Sequence, residues 1–445
     1  MTMQIAAPSA APRRSVYDFV PMGLVKGLFF RILLLVAPIQ SVLLTPVQGT
    51  TPAFLLTLLS PIVLVSSDPR YFRLLLFYAG IVFLYALYMG LSLWGYSYDQ
   101  PDLSRVTVIR EVFIYGYLKQ SHVTQGIYLI AALLFCYVVY NYYQEAFIKF
   151  AFFGILILAI YGFYEFFFYA YFQENGDFLS NRNFGDLERA AAGTEGGKKF
   201  LSGSLVQQSN IFGAGFIRLK SLTGEPSMYS LTVTPFAVYA FGRRWWYLFA
   251  ILLASLVLST STTGIIGLAV GIAYIQIRHR QDAILYVAAA IFTVALLYFT
   301  ADPVREALDK LLFQKLDSSS GNERLQSLID HASVPFDGNP IRFLFGLGFG
   351  TVRATDMLSN LLANVGVIGL MLYSAVILLP CFLLRKAVDR DALVATLLAI
   401  FFMEMLTVSE YAYLPPWFMV ALGYARLRQQ RLAGTMAPLA LARKR

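Results

Sequence analysis

The sequence predicts an all-α polytopic membrane protein with about 12 transmembrane helices, because a spanning helix needs about 20 mostly apolar residues and such runs recur along the chain. Hydrophobic residues make up 58% of the 445 residues, whereas charged residues make up only 14%. The mean hydropathy is +0.62. This composition excludes an ordinary soluble domain and favours a chain that crosses a bilayer repeatedly.

The predicted spans follow one another with short polar connections between most of them. Their length and apolarity match what a helix needs to cross the hydrocarbon core. They lie at roughly 22–44, 52–67, 71–95, 124–143, 146–173, 228–242, 245–260, 263–278, 282–300, 357–384, 391–408 and 411–426.

The distribution of Lys and Arg predicts which side of the membrane each connection faces. Under this set of spans the basic clusters all fall on one side, which the positive-inside rule assigns to the cytoplasm. Three longer segments, about 96–123, 174–227 and 301–356, then face the other compartment. The net charge of +9 is concentrated in short connections. It therefore sets topology, and no nucleic-acid partner is expected.

The chain divides into one large membrane unit and two termini. Residues 1–20 are rich in Ala and Pro and predict a disordered cytoplasmic N-terminus without the order of a signal peptide. Residues 21–426 form a single polytopic membrane domain that carries the outer segments as loop subdomains, and 427–445 form a basic cytoplasmic tail.

The cysteines and histidines predict neither a disulfide framework nor a metal site. Cys136 and Cys381 both lie in apolar segments. His122, His279 and His331 are far apart in sequence and lack the spacing of zinc ligands. We therefore expect no metal and no cofactor.

The stretch IRLKSLTGEPSMYSLTVTPF, residues 217–236, places three charges between apolar flanks. If it crossed the bilayer as one helix, Arg218, Lys220 and Glu225 would each cost roughly 2.5–3.5 kcal/mol near its centre. Residues 218–227 are therefore expected at the outer surface, and the apolar run 205–217 is interpreted as interfacial or re-entrant. Pro226 suits the first turn of a helix, so the next span is predicted to begin there.

The outer segments carry cations that suit a phosphate group. Arg218, Lys220 and the helix start form one cationic edge, and Arg324, Arg342 and Arg353 supply another. Arginine binds phosphate through a planar fork that lysine cannot copy. The alternative is that these charges are merely solvated in long loops.

Two carboxylates are candidates for the proton acceptor of a reaction at this surface. Glu225 precedes the predicted helix start, and Asp356 opens the span near 357. Either could act as a general base. The alternative is that each is only a helix N-terminal carboxylate.

The residues RLKSLTGEPS, beginning at Arg218, resemble the Arg-x-x-Ser-x-(Thr/Phe)-x-x-Pro-(Asn/Ser) motif of the bacterial O-antigen polymerase and ligase superfamily, in its exopolysaccharide branch. The later stretches LSTSTTGIIGLAVG, NERLQSLID and FLFGLGFGTVRATDMLSNLLANVGVIGL also match, so the resemblance covers roughly residues 205–370. It implies a glycosyltransferase C-type fold in the inner membrane. The implied site faces the periplasm and uses an undecaprenyl pyrophosphate-linked oligosaccharide.

The resemblance also implies roles for individual residues. Arg218 and Arg324 would be the essential outer arginines. Apart from the resemblance, we predict that Lys220, Ser221, Ser227, Arg342 and Arg353 contact the pyrophosphate or the glycan. Asp356 stands where many ligases of the family have His-Asn, which favours a polymerase.

The expected function is the joining of lipid-linked repeat units into exopolysaccharide or O-antigen, without a metal. The expected partners are the lipid carrier, the bilayer, and chain-length regulator, flippase or export proteins. Two alternatives remain: a ligase of the same superfamily, and a transporter or flippase of lipid-linked sugars. A transporter should carry charges inside its spans. Of the few charges inside the predicted spans, Arg31, Glu165 and Glu404 are such candidates.

Overall fold

The structure is a computed structural model. It describes residues 22–45, 49–109, 112–182, 208–211, 214–279, 292–293, 296, 298–300, 319–336, 338–385 and 389–442.

Most of the described residues are helical, as the sequence predicts. The helices are α1 Leu24–Val36, α2 Pro52–Val63, α3 Pro69–Tyr98, α4 Gln120–Tyr142, α5 Ile148–Phe172, α6 Pro226–Gly242, α7 Trp246–Ser259, α8 Thr262–His279, α9 Ser319–Ser333, α10 Pro340–Phe345, α11 Met357–Leu383, α12 Arg390–Thr407 and α13 Leu414–Ala442. Short 3₁₀ turns cover Glu145–Phe147 and Ser221–Thr223.

Four stretches among the described residues are long and apolar enough to cross a membrane. They are α3, α4, the stretch Glu145–Phe172 that contains α5, and α11. α2 and α7 are shorter apolar helices. The protein is therefore an α-helical membrane protein. The predicted span at 282–300 lies largely outside the described residues.

Strands are confined to two small antiparallel hairpins in the described part of the chain. β1 Phe113–Tyr115 pairs with β2 Leu118–Lys119, and β3 Gln208–Ile211 pairs with β4 Ala214–Ile217. The second hairpin occupies the run that was expected to be interfacial or re-entrant. Its glycines disfavour a helix, and pairing of the two strands satisfies backbone groups that a re-entrant loop would leave open.

The centre of the protein is α6, which begins at Pro226 as predicted. It is buried on all sides, with Tyr229, Leu231 and Val233 fully enclosed. It packs against α7, α8 and α12. A helix that is apolar all round suits such an interior position, as it would suit a membrane span. Its N-terminus is therefore held at a fixed place within the fold.

α11 is interrupted at Gly366, whose backbone lies at φ 61° and ψ −167°. The glycine-rich segment 345–350 packs into this break: Leu347 N donates to Ala363 O at 2.9 Å, and Gly348 N donates to Asn364 O at 2.9 Å. Gly346 has φ 70°, and a Cβ there would come within 2.4 Å of the Asn364 carbonyl carbon. Glycine is required at that close approach.

The connections that the sequence assigns to the cytoplasm meet at one end of the helices. Arg426 of α13 forms ion pairs with Glu145, just before α5, and with Asp389, just before α12, at 2.6 Å for the latter. Arg428 donates to the carbonyl of Asn141 at the end of α4, at 2.7 Å. We call this the basic end.

Candidate functional site

A polar cavity of about 500 Å³ lies at the end of the helices opposite to the basic end. Its lining comes from connections that the sequence places on the outer side and from nearby turns of the helices that adjoin them. The lining includes Gln40, Thr51, Thr107, Gln125, Tyr128, Arg182, Glu225, Ser227, Phe349, Arg353, Thr355, Asn360, Asn364, Ser409, Glu410 and Tyr411. Separate outer segments thus converge on one polar space.

Residues 218–224 form a buried turn that ties several elements together. Leu222 O accepts hydrogen bonds from Gln40 N at 2.9 Å and Ser41 N at 3.0 Å. The Ser221 hydroxyl donates to Leu158 O of α5 at 2.6 Å, and the Tyr413 hydroxyl donates to Thr223 O at 2.8 Å. Paired backbone groups of this kind keep a buried turn stable. The turn therefore acts as a rigid base for the residues that follow it.

Glu225 is the residue that this turn presents to the cavity. It occupies the N-cap position of α6 in an extended conformation, but its side chain does not cap the helix. The carboxylate lines the cavity instead, together with Ser227 of the first turn. The positive end of the helix dipole favours negative charge at this position.

Arg353 reaches the cavity from the loop between α10 and α11. The Asn364 amide holds this loop: its Oδ1 accepts from Thr351 N at 2.9 Å and Val352 N at 3.0 Å. The backbone of Arg353 donates to Thr107 O at 2.8 Å. The side chain is exposed toward the cavity, so the loop is fixed while the guanidinium stays accessible.

Arg182 and Glu410 are cavity residues that the sequence reasoning did not single out. Arg182 Nη1 donates to Gln40 O at 3.2 Å. Glu410 lies in the connection between α12 and α13, where its Oε1 accepts from Ala412 N at 2.8 Å. Burial raises the pKa of Glu410, and the charges of Arg182 and Arg353 oppose that rise. The cavity therefore contains two arginines beside two carboxylates.

A sequence signal for Glu410 exists. The residues Ser409 and Glu410 form a very short polar break between two long apolar runs. Arg182 offers no comparable signal, because it lies in a long polar segment where isolated charges are common.

Of the residues predicted for the site, Glu225, Ser227 and Arg353 line the cavity. Arg218 does not. Its Nε donates to Ser259 O at 3.1 Å and Thr260 Oγ1 at 3.0 Å, and its Nη2 donates to Thr260 O at 3.3 Å. It thereby satisfies carbonyls at the C-terminus of α7, where a cation is favourable.

Three further predicted residues are buried in structural contacts outside the cavity lining. Lys220 forms an ion pair with Asp177 at 2.7 Å, and Ser221 bonds to α5 as described above. Arg342, which has no exposed surface, forms an ion pair with Asp99 at 3.1 Å. The sequence predicted that these three polar residues contact the substrate, but in the structure they form internal contacts instead.

Asp356 caps the N-terminus of α11. Its Oδ1 accepts from Ser359 N at 2.8 Å and its Oδ2 from Ser359 Oγ at 2.7 Å. This is the helix N-terminal alternative that the sequence left open for it. Arg324 lies within α9, and its side chain is outside what the structure describes.

Among the described residues, no group of three or more His, Cys, Asp or Glu side chains could hold a metal ion. The cavity provides two guanidinium groups that can bind an anion. It also provides a carboxylate that can accept a proton.

No known family model matches the chain, and no curated protein matches it either. The resemblance to the O-antigen superfamily therefore rests on the motif residues alone.

Proposed function

We propose that the protein is a polysaccharide polymerase that joins lipid-linked oligosaccharide repeat units at the polar cavity. The observation that supports this most is that Arg182, Arg353, Glu225 and Glu410 share one cavity at the end of the helices that the sequence assigns to the outer side. Such a set suits a reaction in which a pyrophosphate leaves and a hydroxyl loses a proton.

A neighbouring groove supports a lipid-linked substrate. It has a volume of about 220 Å³, and its lining is almost entirely apolar, with side chains from α3, α4, α11 and α13. Leu84, Leu133 and Leu372 are among them. Phe349 lines both the groove and the cavity. An amphiphile could place its apolar chain in the groove and its pyrophosphate in the cavity.

In the proposed reaction, a hydroxyl oxygen of the acceptor glycan attacks the anomeric carbon of the donor glycan. The bond from that carbon to the pyrophosphate breaks, and its electron pair leaves with the lipid pyrophosphate. Arg182 and Arg353 stabilise the negative charge that develops there. Glu225 accepts the hydroxyl proton. Glu410 offsets the charge of the two arginines when the pyrophosphate is absent.

The proposal includes the inner membrane as location, a cavity that faces the periplasm, about 12 spans and a glycosyltransferase C-type arrangement. Undecaprenyl pyrophosphate is the proposed carrier. Chain-length regulator, flippase and export proteins are the proposed partners.

A ligase of the same superfamily is the second candidate, since it would need the same donor chemistry. Many ligases of the superfamily have His-Asn at the position of Asp356, and this difference favours the polymerase. For the transporter alternative, the mid-membrane carboxyl of Glu404 is the relevant residue. It is buried, and the Tyr373 hydroxyl donates to it at 2.9 Å. This pairing supports a structural role.

The test uses purified protein in vesicles with a lipid-linked repeat unit. A polymerase makes a ladder of products that differ by one repeat unit, and free lipid pyrophosphate accumulates in proportion. A ligase leaves the repeat unit unextended until another acceptor is supplied. Movement of the intact substrate across the bilayer without any bond formation would refute both enzyme proposals.

A further inference from the structure

A buried ion pair lies behind the cavity. Lys220 Nζ is 2.7 Å from Asp177 Oδ2, and both residues are almost fully buried, at 4% exposure each. Glu165 Oε2 of α5 lies 3.6 Å from the same ammonium. Desolvating such charges is costly, and replacing a buried pair by apolar residues is often neutral or stabilising. A role in holding specific geometry would account for a pair at this position.

Asp177 organises the short segment that follows it. Its Oδ1 accepts from Ser180 N at 3.0 Å and from Leu179 N at 3.3 Å. Burial alone would raise the pKa of this carboxyl, but the Lys220 charge and the bonds from Ser180 outweigh it, so the pKa lies below its usual range. The ionised carboxylate therefore holds a tight turn over residues 177–180.

This turn is bonded to the segment that follows α1. The hydroxyl groups of Ser41 and Ser180 lie 2.6 Å apart, and Arg182 N donates to Ser41 O at 3.0 Å. Asn181 exchanges two bonds with the backbone of Leu43, at 2.6 and 3.0 Å. The backbone of Arg182 is thus held directly on residues 41–43.

The segment after α1 is bonded in turn to the buried motif. Leu222 O accepts from the backbone N–H groups of both Gln40 and Ser41. The contacts therefore form a closed circuit from Lys220 to Asp177, Ser180, Ser41 and Leu222. Arg182 follows Ser180 along the chain and Glu225 follows Leu222, so both residues are attached to this circuit. Both line the cavity.

We propose that the Lys220–Asp177 ion pair is a positioning device that holds Arg182 and Glu225 in a fixed relation across the cavity. The pair does not line the cavity and acts through Arg182. This inference rests on the proposed function insofar as the two residues serve one reaction, and its geometric part can be tested without turnover.

The kinetic test is a double-mutant cycle on kcat, normalised to folded protein. Arg182→Gln should lower kcat by about 10²-fold, the usual effect of losing one transition-state donor. Asp177→Asn should lower it by a similar factor. In the Arg182→Gln background, Asp177→Asn should cost less than about threefold more, because groups that act as a unit are not additive. If the kcat of the double variant falls by the product of the two single losses, the positioning role is overturned.

The matched control is the ion pair at the basic end. Asp389→Asn disrupts the partly buried pair with Arg426 but lies far from the cavity in the fold. Its kcat per folded molecule should stay within about twofold of the unsubstituted protein, because it touches neither arginine of the cavity. A loss equal to that of Asp177→Asn would show that any loosened ion pair has this effect.

A distance measurement tests the geometry without activity. Spin labels replace Leu179 and Tyr98, which are 53% and 78% exposed, in a chain with Cys136→Ala and Cys381→Ala. The distance distribution between the labels should be narrow and should broaden in Lys220→Met and in Asp177→Asn, but not in Asp389→Asn. An unchanged distribution in both cavity-side variants would refute the device. Absence of turnover in the unsubstituted protein would instead refute the proposed function. The distance measurement would then decide alone whether the ion pair fixes the geometry.

Discussion

Two arginines, one at each end of the helices, are used in different ways. At the basic end, Arg426 is enclosed between Glu145 and Asp389, and its side chain is 16% exposed. At the cavity end, Arg353 is exposed, and its side chain forms no ion pair with the described residues. The same residue type therefore joins helices at one end and faces a polar space at the other. A guanidinium that no carboxylate occupies can bind an incoming anion.

The largest expected effect belongs to the proton acceptor at the cavity end. Glu225→Gln keeps the shape of the side chain but removes the base, so kcat should fall by about 10²–10⁴-fold. Raising the pH should partly restore turnover, because the acceptor hydroxyl becomes easier to deprotonate. Product formation from the lipid-linked repeat unit measures both effects.

Asp356→Asn is the matched control for this prediction, because Asp356 caps α11 and does not line the cavity. It should lower stability by about 1 kcal/mol at most, since asparagine is also a good cap, and should leave kcat nearly unchanged. Normal polymer from Glu225→Gln at normal expression would exclude Glu225 as the base.

The next effect tests the comparison of the two ends directly. Arg353→Gln should lower kcat by about 10²–10³-fold with little change in unfolding temperature, because it removes a transition-state donor from an exposed position. Arg426→Gln should do the reverse. It should destabilise the protein by about 3 kcal/mol, because it leaves two carboxylates without their partner, and retain turnover per folded molecule. Equal profiles for the two variants would mean that the ends do not differ in function.

A smaller effect is expected at Arg218, which the family resemblance makes essential and the structure places at the end of α7. Arg218→Lys keeps the charge but loses the forked bonds to Ser259 and Thr260. We expect a loss of about 1 kcal/mol in stability and less than a tenfold change in kcat. A loss of 10²-fold or more in kcat at unchanged stability would favour the role that the resemblance implies.

The groove gives a further contrast between adjacent side chains. Leu84 and Phe83 are both exposed on α3, but of the two only Leu84 lines the groove. Leu84→Trp should raise the KM for the lipid-linked donor several-fold by filling the groove, and Phe83→Trp should leave it unchanged. A KM that responds equally to both changes would argue against the groove as the place of the apolar chain.

The smallest expected effect is a pH dependence that arises from Glu410. Its pKa is raised by burial. As the pH falls, this carboxylate therefore takes up a proton at a higher pH than an ordinary glutamate, whose pKa is about 4.3. As the pH falls through this raised pKa, the loss of negative charge should leave Arg182 and Arg353 more attractive to pyrophosphate. The donor KM should therefore decrease at lower pH, and Glu410→Gln should abolish this trend. An unchanged trend in Glu410→Gln would assign the pH dependence to another group.

Local features of the sequence were enough to predict much of the fold. The apolar runs predicted the positions of the four long apolar helical stretches α3, α4, Glu145–Phe172 and α11, because a helix needs about 20 apolar residues to cross the hydrocarbon core. Pro226 predicted the start of α6, because proline is tolerated in the first turn of a helix. Glu225 and Arg353 were predicted as site residues from charge on the outer side, and Ser227 as a substrate contact. All three line one cavity.

The tertiary structure alone decided which polar residues face the cavity and which form internal ion pairs and hydrogen bonds. Arg218 and Arg342 carry the same guanidinium group as Arg182 and Arg353, and Lys220 carries the same charge. In the structure, however, Arg218 is engaged by the end of α7, Arg342 by Asp99 and Lys220 by Asp177. These partners lie tens to hundreds of positions away along the chain, so no local pattern reveals them. A charge is available to a ligand only where the folded chain leaves it unburied, and burial is a property of the whole packing arrangement.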